Sequence, residues 1–284
     1  MSEALAEAAL LAQAAEEAGY LRVWVAEHHA MDGIAGGATA VVLGHIGQAT
    51  KTIRIGSGGI MLPNHNPFVI AEQFGTLDAL FPGRIDLGLG RAPGADGRIA
   101  QALRKDLMRA AEYFPQDVVE LRALFTGDPA LPLKATPGFG ARPELWILGS
   151  SLFGAQLAAA LGLPFAFASH FAPDHLDEAL LLYRRQFRPS EELAQPHVMA
   201  AMTVIAADSD DEATLLASSM DQSFVALRSG NPGKLQPPVK DIAKACRPQR
   251  APCWSICARR APWAAQPPSA RRSGISSSGP ERMS

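Results

Sequence analysis

The sequence predicts an α/β chain of βα repeats, and three segments carry that expectation. Ala26-Glu27-His28-His29 ends one short apolar run, and Gly56-Ser57-Gly58-Gly59-Ile60-Met61-Leu62-Pro63-Asn64-His65 ends a second. Arg84-Ile85-Asp86-Leu87-Gly88-Leu89-Gly90-Arg91 supplies a third at a similar interval. Each run stops abruptly in titratable or glycine-rich residues. Parallel strands look like this where they leave a barrel core and open into an active site.

The elements follow in order. Residues 2–19, rich in Ala, Leu and Glu, read as a helix closed by Gly19. Leu21 to Ala26 reads as a strand, 37–48 as a helix and Thr52 to Leu62 as a strand. Asn66-Pro67 opens a helix to about Leu80, with proline in a permitted first-turn position. Pro82-Gly83 turns the chain into a strand from Arg84 to Gly90. Residues 98–125 are helical in pattern with a break at Pro115, and Thr126 to Arg142 is a loop. Strands at Leu145–Leu148, Pro164–Ala168 and Val198–Ala207 alternate with helices at Leu152–Leu161, Asp174–Phe187 and Asp208–Leu227. Such alternation means a parallel sheet with crossover helices. Six strands are counted where a closed eightfold barrel needs one more before the first helix and one after the last. The expected fold is therefore a TIM-type (β/α) barrel, incomplete, over residues 1–242. Residues 243–284 are expected to be a disordered Pro-, Arg- and Ser-rich tail.

The chain's 284 residues suffice for one large α/β domain, and 48% hydrophobic residues with a mean hydropathy of +0.03 fit a globular protein. The sequence holds no apolar run near the roughly 20 residues of a membrane span, and its acidic, helix-forming start is unlike a signal peptide. A cytoplasmic location with no membrane partner is expected. From Ala243 onward eight Lys or Arg stand against one acid, Glu281; of the chain's 26 basic and 28 acidic residues, 18 and 27 therefore lie before it. An acidic body argues against a nucleic-acid partner. Cys246, Cys253 and Cys257 also fall in the tail, without the fourth ligand and paired spacing of a zinc site, so no metal is expected.

At Glu27-His28-His29, Thr52 to Pro63, Pro82 to Arg91 and Leu148-Gly149-Ser150-Ser151, the chain resembles the bacterial luciferase-like flavin-dependent monooxygenases. The order and spacing of the fragments, more than any one of them, carry the resemblance. It implies a TIM barrel that uses reduced FMN, supplied by a separate flavin reductase, and molecular oxygen on an organic substrate; a homodimer is one of the assembly states the sequence leaves open. Coenzyme F420 is the alternative cofactor, in a deazaflavin-dependent hydride transfer. A second alternative is a truncated, non-catalytic remnant. Family members normally begin with a strand before the first helix and end with a helix and an eighth strand. The departure at both ends, and the abrupt change of composition near residue 243, lead to the expectation of an N-terminal truncation and a frameshift there.

The resemblance also assigns residues. His28 takes the place of the family's catalytic histidine, and an imidazole titrates near neutral pH. Gly58 and Gly59 correspond to a small-residue pair at a non-prolyl cis peptide beneath the flavin ring. A flat ring can lie on backbone only where no side chain intrudes. Arg91 stands where a family arginine meets the flavin phosphate, and a guanidinium pairs well with phosphate oxygens. Ser150 and Ser151 open a helix whose hydroxyls and N–H groups can cradle that phosphate, although Ser150 could equally cap the helix. The family often has an acid where Gly149 stands. His29 reads as structural, Asn64 and His65 as surface-loop residues with a place at the substrate mouth as the alternative, and Trp24 and Trp146 as core. Gly88-Leu89-Gly90 lacks the third glycine of a dinucleotide fingerprint at the required spacing.

Overall fold

The computed structural model describes residues 1–92, 101–103, 106–127, 131–231 and 233–242; the tail cysteines and the suspected frameshift lie outside them. Two compact units divide the chain, Met1–Val204 and Ile205–Ser284. In the first, strands β1 (Arg22–Val25), β2 (Arg54–Met61), β3 (Ile85–Gly90), β4 (Glu144–Gly149), β5 (Phe165–Phe167) and β6 (Val198–Ala200) pair in sequence order, all parallel. Between them run helices α1 (Ser2–Glu17, before β1), α2 (Thr39–Ala49), α3 (Pro67–Leu80), α4 (Leu107–Glu112), α5 (Phe114–Thr126), α6 (Leu152–Leu161) and α7 (Leu176–Gln186). In the second unit the described helix is α8, Asp210–Arg228, whose N-cap Ser209 accepts a hydrogen bond from the Glu212 N–H.

The sheet curls into a half-barrel. In a flat sheet, β1 and β4 would lie three strand spacings apart, roughly 14 Å. Instead Arg22 of β1 reaches Glu144 of β4 at 3.3 Å, and the Trp24 and Trp146 rings meet edge to face at 5.4 Å. Alternation along the strands sorts the two faces. Outward residues Ile55, Ile85, Leu87, Leu89, Leu145 and Ile147 join Leu43, Ile46, Ile70, Phe74, Val118 and Leu121 of the helices in one apolar layer.

The concave face is polar at its base. Asp86, wholly buried, accepts from Arg22 at 3.2 Å, from Arg54 Nε at 2.7 Å and from the Trp24 indole N–H at 2.9 Å. Gly56 lies between Trp24 and Asp86 in register, and its missing side chain is what lets them meet. A Cβ there would fall 2.5 Å from Asp86 Cβ and 2.9 Å from the indole nitrogen. Gly88 is equally constrained, because a Cβ would sit 2.3 Å from the Ser57 carbonyl oxygen. Its role is close strand packing. Trp146 is fully buried as expected, with its N–H unpartnered among the described residues, whereas Trp24 is only half-buried.

Most elements fall where the sequence puts them, and two differ. The expected strand Val198–Ala207 shrinks to Val198–Ala200, because its neighbour β5 is itself three residues long and offers no ladder beyond Phe167. The helical stretch expected over 98–125 divides at Tyr113, not Pro115, in its described part. Proline has no N–H to give and is accommodated in a helix's first turn, so α5 starts one residue before it.

Glu16, near the end of α1, ties that helix to the turn before β2. Its carboxylate accepts the N–H groups of Ile53 at 2.8 Å, Thr52, and Lys51 at 3.0 Å. The Ile53 and Thr52 N–H bonds lead in holding its carboxyl down to about 2, from an ordinary 4.5. A carboxyl depressed in the folded state adds stability above its unfolded value and loses it as the pH falls through the folded one. Glu16→Gln should therefore lower the thermal midpoint at pH 7, and the gap from wild type should close between pH 4.5 and about 2. Thermal melts across that range check it; a gap independent of pH would contradict the carboxylate's role.

Candidate active site

The carboxyl ends of the strands surround an open cleft of about 260 Å³. Strand β1 runs out into Ala26, Glu27 and His28; β2 contributes Gly58, Gly59 and Met61; β3 leads to Gly90, Arg91 and Ala92. Strand β4 and the start of α6 add Leu148 to Ser151, Phe153 and Gly154, and Ala168, Phe171 and Phe114 complete the wall. All six residues singled out in the sequence, His28, Gly58, Gly59, Arg91, Ser150 and Ser151, therefore line one space although they come from four strand ends.

The peptide between Gly58 and Gly59 is cis. A Cβ on Gly59 would lie 2.8 Å from the Gly88 carbonyl oxygen, so neighbouring backbone forbids a side chain there. This stretch of wall is bare main chain. The Arg91 guanidinium lies over the Phe153 ring, 4.0 Å from its centroid. That contact holds the cation at the cleft, and a guanidinium over a ring face can still donate from its N–H edges. Ser151, not Ser150, is the N-cap of α6, and its hydroxyl makes no capping hydrogen bond. The arginine, the two serines and the first turn of α6 form a donor set suited to an anion such as a phosphate.

His28 is half-buried in the wall. Burial pushes its imidazole below its ordinary value, against the pull of the adjacent Glu27 carboxylate, and the neighbouring His29 adds to the depression. The ring is thus mainly neutral at pH 7 and able to take a proton.

Glu27 has no role legible in the sequence, and the structure gives it a prominent one. It is 1% exposed and accepts from His29 Nε2 at 2.7 Å, His65 Nε2 at 2.8 Å, the Met61 N–H at 3.0 Å and Asn64 Nδ2 at 3.4 Å. Burial alone would raise its carboxyl; the His65 hydrogen bond and charge, the Met61 N–H and His29 together bring it below its ordinary value. Asn64 and His65 are consequently not loose surface residues: Asn64 is buried and His65 packs its ring edge onto Glu27. His29 does serve a structural bond, as expected. Glu27, His29 and His65 bring three donor atoms of metal-binding type within 4.8 Å of one another. The contacts to Glu27 are nonetheless those of hydrogen bonds, and the Asn64 amide directs a further donor at the same carboxylate oxygen. No described helix is long and apolar enough to cross a membrane.

Comparisons with known proteins show the family and the fold. The family model described as luciferase-like monooxygenase matches residues 1–244. A luciferase-like monooxygenase of Escherichia coli (strain K12) is 54% identical over 241 residues, covering 84% of this chain and 72% of that protein. The crystal structure of apo-MsnO8 superposes with a TM-score of 0.77 at 35% identity, over 88% of this chain and 74% of that one. The oxygenating constituent of 3,6-diketocamphane monooxygenase from Pseudomonas putida, a type II Baeyer–Villiger monooxygenase in complex with FMN, shares the fold. Its TM-score is 0.58 at 17% identity, over 78% of this chain and 68% of that one. On the family match and the extent of these identities, the chain belongs to the luciferase-like monooxygenase family.

Proposed function

We propose that the cleft binds reduced FMN delivered by a separate flavin reductase, and that the chain is a monooxygenase of an organic substrate. One observation carries the reading: a bare Gly58–Gly59 wall, a cationic and hydroxylic corner at Arg91, Ser150 and Ser151, and a neutral His28 share a single cleft. The FMN complex of the structurally similar camphane enzyme supports it. Reduced FMN supplies the electrons that activate oxygen. Arg91, Ser150, Ser151 and the α6 N-terminus hold its phosphate. Gly58 and Gly59 would receive the ring face as bare main chain. His28 accepts or returns a proton, and the apolar side chains of Met61, Phe114, Phe153 and Phe171 reduce access of water.

An anaerobic titration with reduced FMN tests this. Wild type should saturate, and Arg91→Ala should bind roughly 10- to 100-fold more weakly, the loss of a charge-assisted phosphate contact. Absence of saturable binding, or an unaffected Arg91→Ala variant, would overturn the reading. A parallel titration with coenzyme F420 decides between the two cofactors, since the same corner could hold either phosphate.

A further inference from the structure

Glu27 occupies a position that its neighbours make consequential. It stands one residue before His28 at the exit of β1, and its Oε2 accepts the N–H of Met61, two residues after Gly59. The carboxylate thus bridges the two segments that carry the proton-handling histidine and the bare peptide wall. Its other oxygen takes both imidazole donors. A ring that donates from Nε2 must carry its proton there, so a single buried anion fixes the tautomer of two histidines. Four donors converge on one side chain that water scarcely reaches. Removing the acceptor would leave the Met61 N–H and two ring N–H groups to find other partners, and both loops would have to move.

We propose that Glu27 is a positioning residue that sets His28 against the Gly58–Gly59 wall through Met61, and holds His29 and His65 in their Nε2–H forms. The proposal rests on the flavin reading for its effect on binding, but not for its effect on the histidines. The clamp acts on shape: it keeps the cleft at the width that a flat ring requires.

Glu27→Gln tests it. Glutamine has the same size and can still accept from Met61, but its amide NH₂ meets the imidazole N–H groups donor to donor. Imidazole ¹⁵N NMR of the seven histidines should show His29 and His65 as Nε2–H in wild type and shifted from that form in the variant. Reduced-FMN affinity should fall at least about tenfold, the scale for losing an orienting partner of a site, with the thermal midpoint followed alongside. His65→Ala should weaken FMN less, since three of the four donors remain. Should Glu27→Gln fail to fold, His65→Ala decides, and wild-type affinity in it overturns the proposal. Rings that carry their only proton on Nδ1 in wild type, or unchanged FMN binding by folded Glu27→Gln, also overturn it. If wild type itself binds no FMN, the flavin reading falls, and the tautomers alone judge the clamp.

Discussion

Replacing Asp86 by alanine should cost about 3–5 kcal/mol, the scale for breaking a buried ion pair from one side. Asp86 is wholly buried, and three donors from two other strands end on it. Without it, Arg22 and Arg54 would face each other across adjacent register positions with Glu144 as their shared anion. The Trp24 N–H would lose its acceptor as well. A domain of this kind has only about 5–15 kcal/mol to lose. The urea midpoint should therefore fall steeply in Asp86→Ala. Asp86→Asn should fall between, because it keeps an acceptor for Trp24 and gives up only the charge.

Glu144→Gln supplies the contrast. Its side chain is 34% exposed, and pairs that water can screen contribute about 0–1 kcal/mol. Equal losses in Asp86→Ala and Glu144→Gln would mean that the cluster does not behave as a buried one. The prediction reaches the cleft indirectly, because the same cluster braces β1 against β4 beneath His28 and the Leu148–Ser151 segment.

How much of this could be read from the chain depends on how far each cause acts along it. Helices Pro67–Leu80 and Leu152–Leu161 carry their own start and stop signals, and their predicted bounds agree with the structure. The cleft was legible too, since parallel strands put their carboxyl ends on one side and the polar tips mark those ends. Asp86 and Glu27 were not. An acid in a strand becomes a buried anchor only when curling brings up Arg22, 64 positions away, and Glu27 meets His65 from 38 positions on. The length of β6 is hidden from the sequence for a related reason. Its apolar composition continues past Ala200, but a ladder lasts only as long as its partner. Ser150 and Ser151 were distinguishable only by backbone geometry, which sets the cap one residue later than the hydroxyl pattern suggests.

His28→Ala should leave reduced-FMN affinity within a few-fold of wild type while slowing the oxidation of bound reduced FMN by oxygen about 10²- to 10⁴-fold, the range for losing a general acid or base. The two effects separate because His28 follows β1, whereas the proposed phosphate corner at Arg91 and Ser150 follows β3 and β4. Burial keeps the ring neutral, so it has an open lone pair at the pH where oxygen chemistry needs a proton moved. His28→Gln distinguishes proton transfer from polar contact. Glutamine restores hydrogen bonding at that site but cannot shuttle a proton, so it should be nearly as slow as alanine in stopped-flow oxidation. A glutamine variant as fast as wild type would reduce His28 to a polar wall residue, and proton handling would have to lie elsewhere in the cleft. Glu27 could not take that part by itself: its carboxylate is saturated with donors and held in the ionised form. Proton traffic through the β1 exit therefore stands or falls with the imidazole at position 28.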